Sequence, residues 1–347
     1  MLLLKTSLEI LPSQHFPSVF MNNPRVEYIT RKSAVLSTSS MDCLSDVSTI
    51  NLTVGCAHGC LYCYTQGYSS YPGNSVVQVY DSLPQQLENE LNKKRRLPRR
   101  VYFSPSSDLF QPIDGFADVT RQALNILLER QIEVAFLTKG RIPDSVWSVL
   151  EKRPNLVFAQ IGLITTYDAI RQIFEPNAAP VDVRLSQIRR LADCGVETTV
   201  RLDPILPGLT DSDEEFDRLC QAVSPSVRSI AASVLFLRPV IYRLMKSRLE
   251  QSSIPSEIQA RIEEMFSMYS HTERIQIRAR NSIIDSAPIE LRRSIYERLT
   301  QLASQYGLSV HICGCKNPDL SSQRCLITGT CNKAPASTPT LFSLEDD

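Results

Sequence analysis

Short apolar runs alternate with amphipathic helical patterns through the middle of the chain. The β-rich runs are STINLTVG (48–55), RVYFSPS (100–106), EVAFLTKG (133–140), LVFAQIGLIT (156–165), ETTVRLDPI (197–205) and IAASVLFLRP (230–239). Apolar residues at helical spacing fill the intervals at 84–96, 116–131, 144–153, 180–195 and 212–223. Asp144, Pro180 and Ser212 mark helix starts, and Gly195 a helix stop. Six strands alternating with helices predict parallel βαβ units, hence an α/β fold. Near-continuous apolar strands favour closure toward a partial (β/α)6, TIM-like barrel, with an open doubly wound sheet as the alternative.

After Pro239 the rhythm changes. Helical patterns at 242–251, 255–270 and 288–307 precede one more strand, LSVHIC (308–313). The expected organisation is an N-terminal extension (1–48), a core barrel (49–240), a mostly helical C-terminal extension carrying a second cysteine group (241–333), and a polar, Pro-rich, disordered tail (334–347). The opening MLLLKTSLEILPS has no basic region before its apolar run and no small-residue cleavage site, so it reads as structural and not as a secretion signal. No stretch approaches the roughly 20 apolar residues of a membrane helix. A cytoplasmic protein with no membrane partner is expected.

Charge adds little: 37 Lys and Arg balance 37 Asp and Glu, so nothing demands a polyanionic partner. Cysteine adds more. Ten cysteines in a cytosolic chain call for an explanation other than disulfides. Cys194 and Cys220 fall in helical patterns and read as small buried hydrophobes, and Cys43 stands alone in a polar segment. The other seven form two groups.

The first group, Cys56, Cys60 and Cys63, lies in GCAHGCLYCYTQGY (55–68), directly after the first strand. Functional groups of parallel βα folds collect at the C-terminal ends of strands. Thiolates suit zinc or iron–sulfur clusters. A structural zinc site takes four protein ligands, and His58 is the sole local candidate for a fourth. A four-iron cluster on three thiolates instead keeps one iron open to a reactant.

The CxxxCxxC spacing, with Tyr62 just before the last cysteine, resembles the radical S-adenosylmethionine (radical SAM) superfamily. SSDLFQP (106–112), LTKG (137–140), residues 164–196 and VRLDPILPGLTD (200–211) make the resemblance more specific, to its spore photoproduct lyase and "DNA repair photolyase" branch, over about residues 49 to 240. That resemblance implies a [4Fe-4S] cluster on Cys56, Cys60 and Cys63, with S-adenosylmethionine (SAM) on the open iron. Reductive cleavage would give a 5′-deoxyadenosyl radical that abstracts hydrogen from substrate. By the same resemblance Tyr62 contacts adenine, Ser107 lies near the SAM amino group, Lys139 neutralises the carboxylate, Thr165 lies near the ribose, and Arg201 serves carboxylate or ribose. In spore photoproduct lyases a cysteine beside the polar residue after the second strand returns a hydrogen atom to the thymine. Here that position is Ser106, a far poorer donor, which argues against spore photoproduct as the substrate.

The second group, Cys313, Cys315, Cys325 and Cys331, offers four thiols within 19 residues. It reads as a second iron–sulfur cluster or, alternatively, a zinc staple, with His311 as a substitute ligand. Glu175 and Arg184 are expected to pair as a structural clasp, Asp203 and Asp211 to cap and position, with Asp203 alternatively facing the cavity, and His58 to pack around the cluster loop. The basic run KKRRLPRR (93–100) falls at the end of the barrel away from the site and reads as solvated. ERIQIRARN (273–281) reads as a positive surface. The expected activity is that of a radical SAM enzyme acting on a peptide or small molecule, served by an electron donor such as flavodoxin or ferredoxin. DNA base repair, with a nucleic-acid partner, and a non-catalytic zinc module are the alternatives.

Overall fold

The computed structural model describes residues 24–39, 42–269, 273–277 and 282–321. Seven strands form its central sheet: β1 (Ser48–Ile50), β2 (Arg100–Phe103), β3 (Glu133–Thr138), β4 (Val157–Gly162), β5 (Glu197–Ile205), β6 (Ser229–Val234) and β7 (Ser309–Ile312). They lie in the order β7-β6-β5-β4-β3-β2-β1. Every neighbouring pair is parallel. The sheet is TIM-like but unclosed, with β1 and β7 as its edges. The sequence pattern predicts six barrel strands and one further strand, LSVHIC; the structure adds that run to the same sheet beside β6.

The connecting helices are α1 (Leu83–Lys93), α2 (Phe116–Glu129), α3 (Asp144–Lys152), α4 (Asp168–Phe174), α5 (Val181–Asp193) and α6 (Asp213–Val223); α7 (Pro239–Glu250), α8 (Ser256–Met268) and α9 (Ile289–Gln305) follow. The expected helix signals hold locally. Ser212 Oγ accepts from Glu215 N at 3.2 Å at the start of α6. Pro180 precedes α5, and Gly195 takes a positive φ just past its end.

The strands are not uniformly apolar. Their residues alternate between two surfaces, as a period of two requires. Val101, Phe103, Val134, Phe136, Ala159, Ile161, Val200 and Leu202 join the main core beneath the helices. The intervening Tyr102 and Ala135 pack in a separate lumen cluster with Leu44, against Leu137 and Phe158. Leu44 ends a short 3-10 turn, Asp42–Leu44, so the segment before β1 plugs the lumen. The other lumen positions are polar: Arg100, Gln160, Thr199, Arg201 and Asp203. The sequence reading of near-continuous apolar strands missed this polar row because Tyr, Ala, Leu and Phe interrupt it.

Two small sheets flank the large one. Arg25–Ile29 pairs parallel with Val76–Tyr80, which pairs antiparallel with Thr53–Val54. Phe236–Leu237 and Glu273–Ile277 both pair antiparallel with Ser282–Ser286. The C-terminal extension is thus helical with a small antiparallel sheet, to which Glu273–Ile277 of the ERIQIRARN run contributes one strand. Among the described residues no helix is long and apolar enough to cross a membrane. The tail 334–347 lies outside the described residues, as do the first 23.

Arg100, expected to be solvated with the basic run, instead turns into the lumen. Its Nε and Nη2 lie 2.8 and 2.7 Å from Glu133 Oε2. Its guanidinium carbon stands 3.7 Å from the centre of the Phe158 ring. Glu133→Ala therefore leaves a buried guanidinium without its anion and should cost about 3 kcal/mol of unfolding free energy. A Glu133→Leu, Arg100→Met double variant should recover most of that loss. Urea unfolding at neutral pH checks both, and an unchanged midpoint for Glu133→Ala would contradict the lumen pairing.

Candidate functional site

The loop after β1 is held by chain from both sides. Gly55 has φ +86°, and a Cβ there would lie 2.9 Å from Val76 O, so only glycine lets the chain turn into Cys56. Ala57 N donates to Gln111 Oε1 at 2.7 Å, and Gln111 Nε2 donates to Thr53 Oγ1 and Asp108 O. From the segment after β4, Leu61 N donates to Phe174 O and Asn177 Nδ2 donates to Ala57 O. The three motif segments therefore brace one another: the cysteine loop, SSDLFQP and EPNAAP. His58 is buried between them, its Nδ1 3.2 Å from Asn177 O and its Nε2 3.3 Å from Asp108 Oδ2.

Cys56, Cys60 and Cys63 line a cavity of about 230 Å³ at the C-terminal ends of the strands. Burial pushes the Cys56 and Cys60 thiols well above their ordinary range, with neighbouring carboxylates adding to the effect. Thiols in such a place stay protonated unless a cationic centre is bound. Among the described residues no three Cys, His, Asp or Glu side chains converge at single-ion distance.

The same cavity is lined by Tyr62, Ser107, Lys139, Arg201 and Asp203. Ser104 Oγ and Ser107 Oγ also face it, both buried without a hydrogen-bond partner. Buried hydroxyls of this kind are ordinarily satisfied, so they point to a polar occupant. Lys139 follows β3. Its backbone N donates to Asp108 Oδ2 at 2.8 Å, and its Nζ donates to Asp203 O at 3.2 Å. Asp108 also accepts from Thr138 Oγ1 and Phe110 N. Burial alone would raise the Asp108 carboxyl; His58 and these donors hold it below its usual range.

Glu175 and Arg184 do pair, at 2.6 Å, and both are fully buried. The pair is more than a clasp, because the other Glu175 oxygen accepts from the Tyr62 hydroxyl and lies 3.5 Å from Lys139 Nζ. Burial would raise Glu175, yet Arg184 and Lys139 hold it below the ordinary carboxylate range. Arg184 also donates to Ala179 O and Gly162 O, each at 2.8 Å. The expected clasp is present, and through Tyr62 and Lys139 it also braces two cavity-lining residues without Glu175 itself lining the cavity.

Arg201 Nε and Nη2 lie 3.1 and 2.9 Å from Asp203 Oδ2, and the Lys316 ammonium bonds the same oxygen. Burial opposes ionisation of Asp203, but Lys316 and Arg201 hold it well below the usual carboxylate range. Asp203 therefore faces the cavity, while Asp211 binds Gly208 N and Arg298. Thr165 is not among the cavity-lining residues. Its Oγ1 accepts from Tyr167 N at 3.0 Å and bonds Glu215, which tethers α6.

Cys313 and Cys315, after β7, are buried and line this same cavity. Cys43, to which the sequence gives no role, packs against both. Cys325 and Cys331 lie outside the described residues, and His311 is not among those lining the cavity.

Comparison with known proteins fits this geometry. Residues 50–220 match the radical SAM superfamily. The chain is 29% identical over 161 residues to the radical SAM Nalpha-GlyT isomerase of Pseudomonas phage M6, covering 46% of this chain and 33% of that protein. It is 26% identical over 168 residues to an uncharacterized Methanocaldococcus jannaschii protein, covering 47% of this chain and 61% of that protein. The match therefore spans about a third of the phage protein. In fold it resembles a spore photoproduct lyase, with TM-score 0.64, 16% identity, and coverage of 83% of this chain and 82% of that one. The superfamily match falls on strands β1 to β5, the cysteine loop and much of the cavity lining together, so residues 50–220 are a radical SAM domain.

Proposed function

We propose that Cys56, Cys60 and Cys63 hold a [4Fe-4S] cluster whose open iron takes S-adenosylmethionine. The observation that carries this reading is one cavity lined both by three thiols from a braced loop and by hydroxyls with no partner of their own. Bound there, the cluster would supply the electron for reductive cleavage of S-adenosylmethionine, the chemistry from which hydrogen abstraction from a substrate would follow.

The chain's own residues position and shield. SAM presents a carboxylate, an ammonium, a ribose diol and an adenine, each needing a partner where water is excluded. Ser107 offers a free hydroxyl. Lys139 offers a cation whose local anion, Glu175, is already shared with Arg184. Tyr62 offers a ring fixed by its hydroxyl bond to Glu175. Arg201 offers a guanidinium partly neutralised by Asp203. Thr165, engaged with Glu215, is assigned no contact.

The substrate is a peptide or small molecule, the reductant a flavodoxin or ferredoxin type of donor, and the setting the cytoplasm. The second cysteine group, Cys313 and Cys315 with Cys325 and Cys331, carries a further metal centre, iron–sulfur in preference to zinc. A nucleic-acid substrate is the second reading, favoured by similarity to a spore photoproduct lyase whose structure holds a dinucleoside spore photoproduct. The serine at position 106 stands against that particular substrate.

Anaerobic reconstitution should give a brown protein that converts SAM to 5′-deoxyadenosine with dithionite. Cys60→Ala should abolish the conversion. A colourless, zinc-bound protein without cleavage would rule this reading out.

Lys139 depends on Gly162, where a Cβ would lie 2.7 Å from Lys139 Cγ and 2.9 Å from its Nζ. Gly162→Ala and Lys139→Ala should each weaken SAM binding about tenfold, or about 1.4 kcal/mol. Titration calorimetry on the reconstituted protein measures this, and an unchanged Kd for both variants would remove Lys139 from the cofactor site.

A further inference from the structure

We propose that Cys43 is a ligand of the second metal centre, and that Cys43, Cys313 and Cys315 together hold an iron–sulfur cluster at the cavity wall. The inference rests on the second-centre reading above but draws a ligand from the opposite end of the chain.

Three observations converge. First, Cys43 packs directly against Cys313 and Cys315, and all three line the cavity. Their neighbours there include Lys316, Arg201 and Asp203. A lone buried cysteine is usually a small hydrophobe. Three sulfurs from segments some hundreds of residues apart, meeting beside charged groups, are a soft-ligand set.

Second, the Cys313–Cys315 turn is rigidly built. Asn317 N and Nδ2 both donate to Cys313 O, at 2.9 and 3.1 Å, and Lys316 N donates to it at 3.1 Å. Asn317 Oδ1 in turn accepts from Arg292 Nη1 at 3.3 Å and lies 3.1 Å from the Tyr296 hydroxyl. Arg292 is fully buried, and it also donates to Ala287 O and pairs with Asp319. Burying a guanidinium is costly unless every donor is used. Here its donors fix the turn that presents two thiols.

Third, Cys43 is itself anchored. It sits in the turn Asp42–Leu44, and Leu44 is buried in the lumen on Tyr102 and Ala135. The thiol thus arrives from the β1 edge of the open sheet and meets sulfurs leaving the β7 edge.

Three thiolates are a ligand set for an iron–sulfur cluster as for zinc, and metal analysis of the purified chain separates the two.

The test uses the full chain with the first site removed by Cys56→Ala, Cys60→Ala and Cys63→Ala, reconstituted anaerobically. This background should retain about four irons per chain and a cluster signal on reduction in electron paramagnetic resonance. Adding Cys43→Ala should lower iron below about one per chain. Adding Cys43→Ser instead, which keeps the packing and a weaker ligand atom, should shift the resonance of the remaining cluster. Circular dichroism verifies that each variant is folded. Iron unchanged by Cys43→Ala, a Cys43→Ser spectrum superimposable on the background, or zinc in place of iron would each overturn the proposal. SAM cleavage by the wild-type chain is scored separately, so failure of the first centre is distinguishable from failure of this one.

Discussion

A fully buried carboxylate, Glu175, ties the mouth of the barrel together. A charge there is tolerable only because Arg184 neutralises it at one oxygen while the Tyr62 hydroxyl and the Lys139 ammonium lie at the other. Those partners come from different elements: Arg184 from α5, Lys139 from the end of β3, Tyr62 from the cysteine loop. One ion pair thereby sets the distance between the loop and two strand ends. The residues that face the cavity gain their orientation from it without contacting solvent.

A second consequence concerns charge in the lumen. Outside, the strands meet helices with apolar side chains; inside, they carry Arg100, Gln160, Arg201 and Asp203. The ions are not scattered. Arg100 is matched by Glu133 near the strand starts, and Arg201 by Asp203 near their ends, with Tyr102, Ala135 and Leu44 packed between. The apolar plug separates a structural pair from one that borders the cavity, and it supports the floor on which any occupant rests.

Much of this was legible in the sequence, for identifiable reasons. The alternation of strands and helices survives because long amphipathic patterns such as 116–131 have few competing conformations. The trio of cysteines was legible because its spacing is local. The cavity positions of Ser107, Lys139 and Arg201 follow from strand ends. What escaped was long-range. The seventh strand is only four residues, and nothing local says it adds to β6. Cys43 looked isolated because its neighbours lie some 270 positions away in the chain. Glu175 was judged by its visible partner, Arg184, whereas its bonds to Tyr62 and Lys139 depend on how three loops fold over one another. Thr165 sits at a strand end as expected, but its hydroxyl is drawn to Glu215 on α6. No nearby residue betrays that.

The unclosed sheet has a consequence for association. Its rims are short, three residues at β1 and four at β7, while the interior strand β5 has nine. An exposed rim invites another chain to add a strand, and brevity is one way proteins blunt the invitation. A neighbouring copy would find few backbone groups to pair with on either side. The gap in the wall can therefore stay open beside the cavity without turning the sheet into a template for polymerisation.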